Sequence, residues 1–254
     1  MSEKNLNNKL NLLFKSLKIK KGDKIVIHSN IAGLMQYTDI NANKENSCKI
    51  FLDFLKKYIG EKGVIIIPTY NYQFTKHKNF NVKSSPSEVG FFSNYLLKKN
   101  WKKRSLDPVF SHMIFGKLTE YNKKKINTEA FGEDSIFSIL KKKNFKIICF
   151  CCSTDRITFI HYIEYLLKVP YRYIKKFKGY VINLKTKKIV NYKYNVGKKN
   201  FDYSFKEKNI NKIIDKKIFI KKYFGKFVCY SVTCDYLYKK LLKSIKKENK
   251  FLII

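Results

Sequence analysis

Leu6, Leu10, Leu13, Phe14 and Leu17 fall at helical spacing, so the segment Lys4 to Leu17 predicts an amphipathic helix. After the turn Lys21-Gly22-Asp23 the pattern switches to a short apolar run, Lys24 to His28, that ends in polar Ser29-Asn30, as a buried parallel strand delivering a loop would. A second helical pattern, Ser47 to Tyr58, leads through Gly60 and Gly63 to a second apolar strand, Val64 to Ile67, closed by Pro68-Thr69, which together predict a βαβ unit. Tyr70 to Ser87 is polar and irregular and reads as a functional loop, followed by a helix over Glu88 to Lys99. Turn chemistry around Asp107-Pro108 precedes a short strand, Met113 to Phe115. Phe145 to Cys151 is a further buried strand, and Ser153-Thr154-Asp155 supplies cap chemistry for a helix over Arg156 to Lys168. Alternation over Gly179 to Leu184 and Lys188 to Tyr194 predicts an antiparallel hairpin, and the chain continues with a strand over Lys226 to Val232 and a helix over Asp235 to Lys246.

No internal repeat or linker interrupts this order. The fold class is α/β, a mixed central sheet flanked by helices, in one domain over 1–254 with 176–215 as a hairpin-containing subdomain or insertion.

Composition changes this picture little. A hydrophobic fraction of 44% excludes a disordered polymer. The net charge of +35 suggests a polyanionic partner, but the cations are nearly all Lys. Arg104, Arg156 and Arg172 are the only arginines, although Arg is the better bidentate phosphate ligand. Basic runs such as Lys123 to Lys125, Lys141 to Lys143 and Lys198 to Lys199 lack interleaved stacking aromatics, so nucleic-acid binding is the alternative and catalysis the main reading. No apolar stretch approaches the roughly 18 residues that span a bilayer, and no charged-then-apolar leader opens the chain. Cys149, Cys151 and Cys152 sit in an apolar run as free thiols, consistent with a cytoplasmic protein. Cys149 and Cys152 diverge in a strand and Cys229 and Cys234 lack zinc spacing, so no metal is expected.

No P-loop, GxGxxG, HExxH or GxSxG is present. Of the four histidines, His77 lies in a Lys-rich loop and His112 ranks below the other two. His28 ends a strand, where open α/β sheets border their ligand crevice. His161 and Glu164 lie three apart on a helix and share a face, which by itself is commonly a solvated surface pair.

Thr158-Phe159-Ile160-His161-Tyr162-Ile163-Glu164, followed by Val169-Pro170-Tyr171-Arg172, resembles the signature of the aminoglycoside 3-N-acetyltransferase family. Gly22 to Asn30 (GDKIVIHSN), Gly63 to Tyr70 (GVIIIPTY), Ser84 to Gly90 (SSPSEVG), Arg104 to Ser111 (RSLDPVFS) and Phe131 to Ser135 (FGEDS) resemble other pieces of the family in the same order. The resemblance implies a family-specific acetyltransferase fold, acetyl-CoA (coenzyme A) as donor, a small-molecule amine as acceptor, direct transfer without an acyl-enzyme, and compatibility with a homodimer. It also implies that His28, Ser29, Asn30, Thr69, Arg104 and Ser111 line the coenzyme A channel, and it turns His161 and Glu164 into a base and its orienting carboxylate.

The chemistry of those residue types fits. A neutral imidazole can take the proton that makes an ammonium non-nucleophilic, a carboxylate can hold that imidazole, and the thioester oxygen needs a donor, for which backbone groups after His28 are candidates. Two departures bear on the acceptor: Asn30 replaces the second Ser after His28, and Asp107 stands where many relatives carry His in His-Pro-x-x-Ser. Asp107, Glu133 and Asp134 are the carboxylates assigned to the acceptor, and the scarcity of acids near the motifs favours an amino sugar on an anionic nucleotide carrier over a polycationic drug.

Overall fold

The computed structural model describes residues 2–37, 44–184, 186–204 and 207–253. The first helix, α1 (Glu3–Ser16), is capped by Ser2, whose side chain accepts from Asn5 N, and it buries Leu6, Leu10, Leu13 and Phe14. Strand β1 (Lys24–Ser29) and β2 (Val64–Pro68) pair in parallel across α3 (Lys44–Ile59), with the single turn α2 (Ala32–Met35) just after β1. Gly60 carries the chain out of α3 at φ +72, a backbone conformation that costs glycine nothing.

The loop after β2 is more ordered than its composition suggests. It contains one helical turn, α4 (Phe74–His77), and a three-residue strand, β3 (Asn79–Asn81), before α5 (Phe91–Asn100). Strand β4 (His112–Phe115) runs antiparallel to β2. Helix α6 (Ile136–Lys142), capped by Ser135, leads to β5 (Lys146–Phe150), which pairs in parallel with the other side of β1. The cap predicted at Ser153-Thr154-Asp155 forms a tight 3-10 turn over 154–156 instead, and α7 (Phe159–Leu166) begins only at Phe159 with no side-chain cap.

Strands β6 (Arg172–Asn183) and β7 (Thr186–Gly197) form a hairpin longer than the alternation predicts. The first residues of β6 after Arg172, Tyr173 to Lys176, are all exposed, so no inside-outside alternation betrays them. Helix α8 (Glu207–Ile213), strand β8 (Ile220–Phe224), β9 (Phe227–Thr233) and α9 (Cys234–Lys247) complete the chain.

The main sheet has the order β4-β2-β1-β5-β9-β8, and a second sheet the order β3-β6-β7. Alternate residues of the central strands feed opposite cores. Val26, Ile66 and Ile147 face α6, α7, α9 and the small sheet, while Ile25, Ile27, Ile65 and Ile148 face α1, α3 and α5. Because β2 and β5 flank β1 on opposite sides, the chain reverses direction there, and the crevice opens beyond the carboxyl ends of β1 and β5.

Candidate active site

The turn after β5 and helix α7 carry His161 and Glu164 to that crevice. Glu164 is 2% exposed and makes three contacts. Its Oε2 lies 2.6 Å from His161 Nδ1 and 2.7 Å from Arg172 Nε, and its Oε1 accepts from the Tyr171 hydroxyl at 2.9 Å. Burial, the largest single influence, pushes the carboxyl up, but the charge and hydrogen bond of His161, then Arg172 and Tyr171, outweigh it and hold it below its ordinary value. Glu164 is therefore ionised at neutral pH. Tyr171 and Arg172, given no role in the sequence analysis, were present in the motif as its Val-Pro-Tyr-Arg half: they hold the carboxylate that holds the histidine.

A 2.6 Å contact to an ionised carboxylate makes His161 Nδ1 the donor, so that in the neutral imidazole Nε2 carries the lone pair. Arg172 Nη2, 3.1 Å from the same Nδ1, then acts as a neighbouring charge rather than a donor. His161 stands between two cavities. One, of about 630 Å³, is lined by His28, Ser29 and Asn30 from the end of β1, by Tyr70, Tyr72 and Gly90, and by Ser153, Asp155 and Arg156 from the turn before α7. The other, of about 450 Å³, lies towards Glu164, Arg172, Tyr203, Leu252 and Ile253. His161 and Asp155 border both.

His28 and Ser29 both border the larger cleft. Asn30 also borders the cleft, but its Oδ1 caps α2 through Ala32 N and its backbone N–H is spent on Phe150 O at 2.9 Å, so that group is no oxyanion donor.

Thr69, Arg104 and Ser111, expected in the coenzyme A channel, do not line this cleft. They are at most 2% exposed and face one another beneath the cleft wall. Arg104 Nε donates to Ser111 Oγ at 2.9 Å, Nη1 to Ser85 O at 2.6 Å and Nη2 to Thr69 O at 2.8 Å, and its guanidinium lies over the Phe80 ring. A buried guanidinium must satisfy its donors locally, and here backbone carbonyls do so. Burial lowers its pKa to about 9, and it ties the loop containing β3 to β2 and β4.

The carboxylates expected at the acceptor also lie away from both cavities at His161. Asp107 is 2% exposed and accepts from Val109 N, Phe110 N and the Tyr192 hydroxyl on Oδ1 and from Asn127 Nδ2 on Oδ2. Glu133 and Asp134 are exposed, pair with Lys142 and Lys125, and border a separate cavity of about 320 Å³ that shares no residue with those at His161.

His112 is fully buried behind the cleft, its Nε2 3.3 Å from the Tyr70 hydroxyl. Burial lowers His28 to about 4 and, with the nearby His28, lowers His112 to about 3. A depressed histidine pKa means the unfolded chain binds more protons between the folded and unfolded values. Stability is therefore flat above about pH 6.5 and lost as pH falls towards 3. Melting curves should show a drop in Tm between pH 6.5 and 4 that His28→Asn with His112→Gln reduces. A Tm slope in that window identical to wild type would show the two imidazoles to be solvated.

A family model described as aminoglycoside 3-N-acetyltransferase matches residues 32–240. Among solved structures, the YokD protein from Bacillus subtilis is 17% identical over 98% of this chain and 100% of its own, with a TM-score of 0.72. The aminoglycoside acetyltransferase AAC(3)-IIb is 14% identical over 95% of this chain and 97% of its own, with a TM-score of 0.76. AAC-IIIb in its binary complex with CoASH is 14% identical over 97% of each chain, with a TM-score of 0.75. No curated protein sequence matches. A family match over most of the chain, on a fold shared with these structures, means that the chain belongs to the aminoglycoside 3-N-acetyltransferase family, acyltransferases that pass an acetyl group from acetyl-CoA to an amine.

Proposed function

We propose that this chain acts as a single-domain, cytoplasmic N-acetyltransferase of amino sugars, with His161 as general base. The observation that carries this reading is the position of His161 at the junction of two cavities, with its Nδ1 fixed by a buried, ionised Glu164. A base placed there reaches a donor from one side and an acceptor from the other, so direct attack needs no covalent acyl-enzyme.

The larger cleft suits coenzyme A. Gly90, at φ +123, borders it, and a Cβ there would stand 3.8 Å from Ser29 O, in space a ligand can use. When bound, acetyl-CoA supplies the acetyl thioester. His28, Ser29 and Asn30 would border it, and Arg156, the only Lys or Arg among the described residues lining this cleft, would be the cation available to its phosphates. His161 Nε2 takes the ammonium proton, Glu164 stabilises the resulting imidazolium, and Arg172 and Tyr171 keep that carboxylate in place. No helix among the described residues is long and apolar enough to cross a membrane.

The acceptor reading rests on charge. Polycationic drugs need several carboxylates, and among the described residues the two cavities border only Glu88, Asp155 and Glu164. Glu88 accepts from Gln73 N and Nε2, and Glu164 is paired with His161 and Arg172 and accepts from Tyr171. A nucleotide-linked amino sugar should therefore be acetylated with a higher kcat/KM than any deoxystreptamine drug, read as amine-dependent release of free coenzyme A thiol. Efficient turnover of gentamicin with none of a sugar nucleotide would restore the drug reading. Salt-sensitive retention on DNA with no thiol release would favour a non-catalytic basic protein.

A further inference from the structure

We infer that Asp155 fixes the acceptor's ammonium beside His161 and sets the preference for an acceptor with one amine, an inference that rests on the reading of His161 as base. An amine arrives protonated at neutral pH, and a cleft that binds it must offer a negative group next to the base. Asp155 shares with His161 the position between the two cavities. Two other carboxylates border these cavities among the described residues. Glu164 is 2% exposed and held by His161, Arg172 and Tyr171, and Glu88, which accepts from Gln73 N and Nε2, borders only the larger cavity and not the junction.

Asp155 is committed on one side only. Its Oδ1 accepts from the Ser153 hydroxyl, which fixes the rotamer. Its Oδ2 meets Arg156 Nε at 3.4 Å, and the two side chains are 39% and 69% exposed, so this pair holds its partners weakly and the guanidinium can turn to the donor's phosphates. The turn that carries Asp155 is anchored on both flanks by Thr154 and Ile157, each 2% exposed, so the carboxylate is held on a fixed support.

One carboxylate at the junction of the two cavities, held by a hydroxyl and a weak ion pair, matches one ammonium. A carboxylate beside an ammonium also favours its protonated form, so Asp155 strengthens binding without assisting deprotonation. Its loss is expected in KM and Kd, with little change in kcat. That separation distinguishes it from His161.

The experiment titrates the CoA-saturated protein with a UDP-linked sugar bearing one free amine and, separately, with the same sugar N-acetylated. Wild type should bind the amine at least roughly tenfold more tightly than the uncharged comparator. Asp155→Asn should abolish that preference and Asp155→Glu should restore part of it, each variant being titrated at a CoA concentration that saturates it. In turnover, Asp155→Asn should raise the acceptor KM with kcat nearly unchanged. A preference for the amine that survives in Asp155→Asn, a fall in kcat alone, or no binding of either sugar would overturn the inference. Because the titration needs no chemistry, a surviving preference in a protein that still turns over sugar nucleotides removes Asp155 and leaves the proposed function standing.

Discussion

Replacing His161 with Ala should lower kcat by roughly a hundredfold or more, the range associated with losing a general base. Chain stability and the Kd for CoA should be nearly unchanged. The side chain of His161 is 38% exposed, so its removal leaves no cavity in either core. Glu164→Gln should cost less turnover, because an amide oxygen can still accept from Nδ1 while the charge that stabilises the imidazolium is gone. It should cost more stability, because Arg172, 12% exposed, would lose its carboxylate partner. The two variants thus have opposite profiles, one kinetic and one thermal. Turnover near wild type in His161→Ala would remove the general-base role, and a larger kinetic loss in Glu164→Gln than in His161→Ala would move the base to the carboxylate.

How far the sequence carries a reading depends on whether the signal is local. The parallel strands β1, β2 and β5 are almost wholly apolar because both faces are covered, and each was legible from its own residues. Strand β3 was not, since Asn79-Phe80-Asn81 is extended only because it pairs with Tyr180 to Ile182 about a hundred residues later. Edge strand β8 has only two buried ends, Ile220 and Phe224, around three exposed residues, and gave no alternation.

The site divides the same way. His161 and Glu164 share one helix face, so their meeting follows from spacing. Whether Arg104, Thr69, Ser111 and Asp107 face a ligand or each other depends on how the loops fold over β2 and β4, and spacing carries no trace of that. The fold buries them against one another and away from the two cavities at His161. Asp155, two residues before the buried Ile157 and Thr158, gave no sign from residue type that it rather than Asp107 reaches the crevice.

Asp107→Ala should therefore unfold the protein more readily rather than impair acceptor recognition. Burial raises the pKa of this carboxyl, while Asn127, Phe110 N, the Tyr192 hydroxyl and Val109 N act against that rise. The group survives in the core because four donors meet it, three on Oδ1 and one on Oδ2. Truncation strands two backbone N–H groups, the Asn127 amide and the Tyr192 hydroxyl, all out of contact with water, and it loosens the attachment of β7 to the loop before β4. Removing one partner of a buried polar network of this kind costs about 3–5 kcal/mol, a large share of a typical domain's 5–15 kcal/mol. For a chain of this size that is a fall in Tm of about 6–20 °C. Asp107→Asn keeps the shape and one acceptor oxygen but turns a donor towards a donor, so it should fall between the two. The protein that remains folded should keep its preference among acceptors, because Asp107 borders neither cavity at His161. A variant that melts within a degree of wild type while its acceptor KM rises would return Asp107 to the substrate and show the buried network to be dispensable.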